Sequence, residues 1–360
     1  MIGRKLSVDQ VNYLNIILMF VAAAAAFWRP FETFLIVYAL LGPLHYLTEI
    51  SWLHDRDYFT GKKTDAAILV VIGAIITIGS LRLIPDMPQH LGTALTVLAF
   101  GAALIFVLVK NGYARAVLFF LMVPLSLLAA RLNWVSSVFS VFLPTIIHVF
   151  IFTGMFILVG ALRGRSFSGI ASLVVFVLLS FSFFYLYPGN NVYAVSDQVR
   201  NNYRDFQMLN YYLMTPFSKH DFNQPANISE YIHFVNNVLY SSHSAFAVMA
   251  FIAFAYFYHY LNWFSKTSVI QWHQIPKSRF IGIIVIWLAS IGIYVYDYAL
   301  GLKWLFFLSF THVLLEFPLN HLTFINIGKE IKGIFFGRPA VTVSVRRSGQ
   351  PQYMTRSQKS

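Results

Sequence analysis

Apolar residues in this chain fall into long runs separated by short polar breaks. The runs reach the roughly 20 residues that a helix needs to cross a hydrocarbon core. Ten segments can be drawn, near residues 11–28, 31–53, 65–83, 91–109, 114–131, 135–162, 168–187, 240–263, 280–298 and 302–320. Pro318 interrupts the last, where a missing backbone donor favours a break. The pattern predicts an all-α fold, a polytopic transmembrane helical bundle of about ten spans. Residues 1–335 form the membrane domain, and 336–360 read as a disordered basic cytoplasmic tail attracted to anionic lipid.

Composition removes the main competing class. Of 360 residues, 58% are hydrophobic, 18% aromatic and only 11% charged, and the mean hydropathy is +0.65. A soluble domain carries about 25% charged residues, so a soluble enzyme is excluded. Cysteine is absent, which excludes disulfides, iron–sulfur clusters and thiolate-held metals.

The net charge of +12 reads as a membrane signature and implies no nucleic-acid partner. Connections after even-numbered segments carry Arg56/Lys62/Lys63, Lys110/Arg115, Arg163/Arg165, Lys266/Lys277/Arg279 and Lys329/Lys332/Arg338. Connections after odd-numbered segments are poorer, such as Trp28-Arg29-Pro30 and Gly301-Leu302-Lys303. The bias predicts both termini in the cytoplasm. The polar start, Met1 to Gln10, does not read as a cleaved signal peptide. The expected location is multi-pass, in a bacterial inner (cytoplasmic) membrane. A long outer loop spans 188–240, and Ile228 to Val238 reads as a short interfacial helix with Tyr231 and Phe234 one turn apart.

Histidine carries the chemistry. Among 11 histidines, His45, His148, His259 and His312 fall within apolar segments, with His54 and His321 near segment ends. All six belong to even-numbered segments, most toward the cytoplasmic end. Ionisable groups at membrane depth are costly and mark functional sites. Two stretches match: His45-x3-Glu49-x4-His54-x6-Gly61-Lys62 and His312-x3-Glu316-x4-His321-x6-Gly328-Lys329.

Positions i and i+4 share a helix face, so His45 with Glu49, and His312 with Glu316, can address one centre. Nine further residues turn a straight helix by roughly 180°, so His54 and His321 face away. They rank as second-tier candidates, together with Asp55 and Asp57 as metal ligands or orienters of His54. His259 is the expected fifth ligand. His148 belongs to the same second tier, since a lone histidine in an apolar helix more often serves packing than ligation. His273, in a cytoplasmic loop, reads as a solvated surface residue, with a place bordering the site as the alternative. His90, His220 and His233 read as polar-loop residues, and His243 as a helix start.

Imidazole with carboxylate and no thiolate suits non-haem iron, one or two ions, with zinc as the alternative. The bundle, with His45, His54, His259, His312 and His321 gathered at one end, resembles the integral-membrane non-haem iron oxygenases. That group comprises the desaturases and hydroxylases and, more distantly, the bacterial membrane β-carotene dioxygenases. The chain departs from the desaturase pattern in having no His-His pair and no H-x3-H box. The resemblance implies an oxidoreductase of lipid metabolism that takes iron, dioxygen and a lipid or isoprenoid substrate, served by an electron donor protein. The competing reading is a proton- or cation-coupled transporter that uses the His–Glu pairs as ion or proton sites.

Overall fold

Small polar residues set the starts of the long helices. Ser7, Asn111, Ser166, Ser242 and Asp297 each accept a backbone N–H of the first turn that follows. The computed structural model describes residues 6–60, 62–85, 87–88, 90–189, 192–215, 227–266, 274–336, 341–345 and 351–355.

The membrane domain is all-helical. Its helices are α1 (Val8–Trp28), α2 (Pro30–Leu40), α3 (Gly42–His54), α4 (Lys63–Ser80), α5 (Leu91–Leu108), α6 (Gly112–Ala129) and α7 (Asn133–Gly164). There follow α8 (Phe167–Leu186), α9 (Asp197–Tyr203), α10 (Gln207–Met214), α11 (Ile228–Asn237), α12 (His243–Ser265), α13 (Lys277–Tyr296) and α14 (Tyr298–Phe335). Among the described residues, eight helices are long and apolar enough to cross a membrane, and α2 with α3 makes a ninth if the bent pair is one span. Helix α4, in place of the expected third span, is a shorter apolar helix. The chain is a multi-pass membrane protein.

Three segments differ from the reading of the sequence. The expected span 31–53 is broken, with α2 and α3 meeting at 44°. Pro43 in the first turn of α3 has no N–H for the carbonyl a turn earlier, so the ladder lapses there. Pro318, by contrast, does not end its helix: α14 runs 38 residues straight through it. Buried neighbours on α3, α4, α5 and α7 surround α14 and compensate for one missing donor. Helix α7 carries a π-helical stretch, Ser137–Phe152, around Pro144. Such wide turns are rare and gather at functional sites.

Helix α12 is the axis of the bundle. Every residue from Ala245 to Tyr256 is buried, as expected of a helix that is apolar all round. The described parts of the long loop between α8 and α12 fold over one end of it. Tyr203 of α9 is fully buried between the edges of Phe31 and Phe34, at 5.1 and 5.5 Å. Its hydroxyl donates to Asn210 of α10. The helix expected near Ile228–Val238 is α11, and Phe234 and Tyr231 both meet the Tyr211 ring at 5.5 Å. At the other terminus the segment expected as a disordered tail contains a two-stranded antiparallel hairpin, Val341–Val345 with Pro351–Thr355.

Candidate metal centre

Four helices converge on one buried cluster. Helix α3 brings His45 and Glu49, α7 brings His148, α12 brings His259, and α14 brings His312 and Glu316. Their exposures run from 1% for His45 to 7% for His259. Nε2 of His45 lies 3.0 Å from Nε2 of His259 and 3.0 Å from a Glu49 oxygen. Nε2 of His148 lies 3.1 Å from Nε2 of His312, and its Nδ1 is 2.9 Å from a Glu316 oxygen. His45, His148 and His312 each offer one ring nitrogen, and the three atoms lie within 4.8 Å of one another, so this buried triad can hold a metal ion.

The donor set is one that a metal ion can use, and two of its imidazole contacts are also within hydrogen-bond distance. Metal–nitrogen bonds of about 2.1 Å place adjacent ligands roughly 3.0 Å apart at a right angle, the separation found here. The oxygens Glu49 Oε2 and Glu316 Oε2 sit within reach of imidazole nitrogens, yet neither makes an aligned hydrogen bond. A buried carboxylate oxygen with no partner costs several kcal/mol by order of magnitude, which a cation offsets. His259 is the best-anchored ring, because its Nδ1 is 2.8 Å from Thr153 Oγ1. A partner on the far nitrogen fixes the tautomer and aims Nε2 inward.

Aromatic rings wall the cluster. Tyr46 stacks on His312 at 4.3 Å, and its hydroxyl meets that of Tyr260 at 3.0 Å. Gly42 makes room for that pair, since a Cβ there would stand 3.0 Å from the Tyr46 oxygen and 3.3 Å from the Tyr260 oxygen. Trp263 approaches His45 at 5.5 Å and donates its indole N–H to Thr48. One turn beyond Glu316, the buried Asn320 has no partner on either amide atom, a position suited to an ordered water.

A cavity of about 590 Å³ ends at His148, His259 and His312. From α7, Ser140/Val141, Pro144/Thr145 and His148/Val149 line it in pairs recurring every four residues. The cavity leads to the end of the bundle where α4 stops and α14 starts, reaching the exposed Arg82, Asp205 and Lys303. His148 and His312 each stand roughly 20 Å along their helices. The cluster is therefore near mid-helix, deeper than the cytoplasmic-end placement read from the sequence.

The expected ligands His45, Glu49, His312, Glu316 and His259 are all brought together. One expected pairing is rearranged, because Glu316 meets His148 of α7 while His312 meets the other nitrogen of the same ring. His148, a second-tier candidate in the sequence, thus stands at the centre of the second half of the cluster. His54 is outside it, with Nδ1 3.3 Å from the Tyr58 hydroxyl. His321 is outside as well, 2.9 Å from the Phe100 carbonyl oxygen. Asp55 does not orient His54; its carboxylate pairs with Arg279 at 2.6 Å. Asp57 lies in the turn after α3 and serves no ligand there, since His54 is not one. His243 begins α12 and bonds the Tyr187 carbonyl at 2.6 Å. His273 and His220 lie outside the described residues.

Sequence reasoning did not single out Thr153, Tyr46, Tyr260 or Asn320. The one available signal was the tripeptide His-Tyr-Leu shared by His45-Tyr46-Leu47 and His259-Tyr260-Leu261, whereas Thr153 and Asn320 belong to no motif. Comparison with protein-family models, curated proteins and solved structures found no match, so the functional reading rests on this geometry.

Proposed function

We propose that the chain is an integral-membrane metalloenzyme, a non-haem iron oxidoreductase (oxygenase, hydroxylase or desaturase) acting on a lipid or isoprenoid substrate. One observation carries the proposal: four imidazoles and two carboxylates, all buried, converge at the inner end of a cavity large enough for a small amphiphile. His45, His148 and His312 would hold the ion, with His259, Glu49 and Glu316 completing the set. The three imidazoles of the triad lie close enough to share one ion, and imidazole with nearby carboxylate and no thiolate suits iron, with zinc as the alternative. Iron, when bound, supplies the activation of dioxygen for substrate oxidation.

The protein's own residues supply the setting. The two buried carboxylates would offset the charge of the cation. Thr153 holds the His259 ring in one tautomer. The Tyr46–Tyr260 hydroxyl pair holds an exchangeable proton on the wall of the cavity, beside His312. The ring of aromatic side chains excludes bulk water from the cluster. An electron donor would dock on a cytoplasmic face, and a bacterial inner membrane is the setting that fits the basic-loop bias.

The test is metal analysis with an absorption spectrum on purified protein, wild type beside Glu49→Gln/Glu316→Gln. Stoichiometric iron that the double variant loses supports the proposal. Zinc lost in the same way redirects it to a hydrolase, and no metal in reconstituted wild type defeats it. The transporter reading draws on the continuous row of exchangeable groups from Glu49 through His45 and His259 to Thr153. It requires substrate-driven proton uptake in proteoliposomes without turnover.

A further inference from the structure

We infer that the mouth of the cavity is a recognition site for a single anionic headgroup, so that the substrate is a carboxylate-headed amphiphile and not a neutral hydrocarbon. The inference rests on the proposal that substrate reaches the histidines through this cavity. Arg82 and Lys303 stand at the exposed end of the cavity with Asp205. Among the described residues, neither cation forms an ion pair with a protein carboxylate. Among the described lining residues, two cations and one carboxylate leave one positive charge over, which matches a monoanion. Both cations lie in connections that the positive-inside bias leaves poor in Lys and Arg, so topology does not account for them.

The backbone at Arg82 adds an independent sign. Its φ is 53°, in the left-handed region, and it follows the end of α4 with its N–H bonded to the Gly79 carbonyl at 3.0 Å. Glycine is the usual residue at such a helix end. An arginine held there at a conformational cost points to a use for its side chain.

Below the mouth, the walls suit a hydrocarbon chain. Leu209, Leu302, Phe306 and Phe310 line the passage. Several of its hydroxyls are committed to the protein: Tyr38 to Ser309 at 3.4 Å, Ser140 to Thr93 at 2.7 Å, and Thr145 to the Val141 carbonyl. From Lys303 to His312 along α14 is roughly 14 Å at 1.5 Å per residue. A headgroup fixed at the mouth therefore sets which part of the chain lies beside the histidines.

The test uses full-length protein in phosphatidylcholine nanodiscs, with a long-chain fatty carboxylate bearing a diazirine at its methyl end. The matching alcohol is the control. After photolysis, labelled peptides are mapped by mass spectrometry, with and without prior metal chelation. The carboxylate probe should label the peptides around Pro144–Val149 or Phe310–His312 in wild type, chelated or not. Arg82→Gly, which suits the left-handed backbone, combined with Lys303→Gln should lower that labelling roughly five- to tenfold. Asp205→Asn should raise it, which a folding defect would not do. Equal labelling by the alcohol, unchanged labelling in the Arg82→Gly/Lys303→Gln variant, or labelling confined to the lipid-facing surface would overturn the inference. Because chelated protein is included, a failure of the metal assignment would show separately in the metal analysis.

Discussion

The two His-x3-Glu segments have the same spacing and different structures. In α3 the carboxylate of Glu49 meets His45 of its own helix at 3.0 Å, as an i,i+4 pair should. In α14 the carboxylate of Glu316 turns to His148 of α7 at 2.9 Å, and His312 reaches the other nitrogen of that same ring. The difference lies in the neighbours. His45 faces the His259 ring edge-on at 4.6 Å and keeps its own glutamate. Helix α14 packs directly on α7, which inserts an imidazole between its two motif residues. Equal spacing on one helix fixes a shared face, and the opposing helix decides which partner each group takes.

Five variants probe this contrast, beginning with the largest effect. Glu49→Gln with Glu316→Gln should abolish metal retention while leaving expression near wild type, as read by metal analysis of purified protein. Next, His148→Gln should cost about 3 kcal/mol, because it strips Glu316 and His312 of their shared partner and leaves a buried carboxylate alone. A shift in thermal unfolding in detergent checks this, and a shift no larger than that of a surface variant would mean that His148 is not central.

Thr153→Val comes third. It removes the hydroxyl that holds His259 and should weaken metal affinity roughly 10–100-fold without preventing folding. Chelator competition measures it, and unchanged affinity would place His259 outside the ligand set. Smallest of all, His321→Ala should leave metal content unchanged and cost about 1 kcal/mol for its bond to Phe100. His54→Ala should leave metal content unchanged too. Metal loss in either single variant would restore the third residue of each motif to the centre.

Legibility in the sequence followed the range of the interaction. The His45–Glu49 pair was readable because four residues of helix fix it locally. The outward rotation of His54 and His321 was readable for the same reason. His148 was not, since it stands alone in an apolar stretch and gains its importance only from two residues more than 160 positions away. Asp55 misled because nearness along the chain to His54 counted for less than the Arg279 guanidinium that α13 presents to it. Pro318 misled in a similar way, because a local rule for helix breaking was overridden by the close-packed surroundings of α14.

By itself, then, the sequence determined that this is an all-helical, multi-pass membrane protein with two His–Glu faces and no thiolate chemistry. Those properties depend on composition, on apolar runs and on the 3.6-residue helical repeat, all of which are local. Tertiary structure alone decided that α3, α7, α12 and α14 point their histidines at one place, that His148 bridges the second motif, and that a passage reaches the cluster from Arg82 and Lys303. Those properties depend on how helices far apart in sequence rotate and pack, and the free energy of that packing is shared among many apolar contacts that carry no motif.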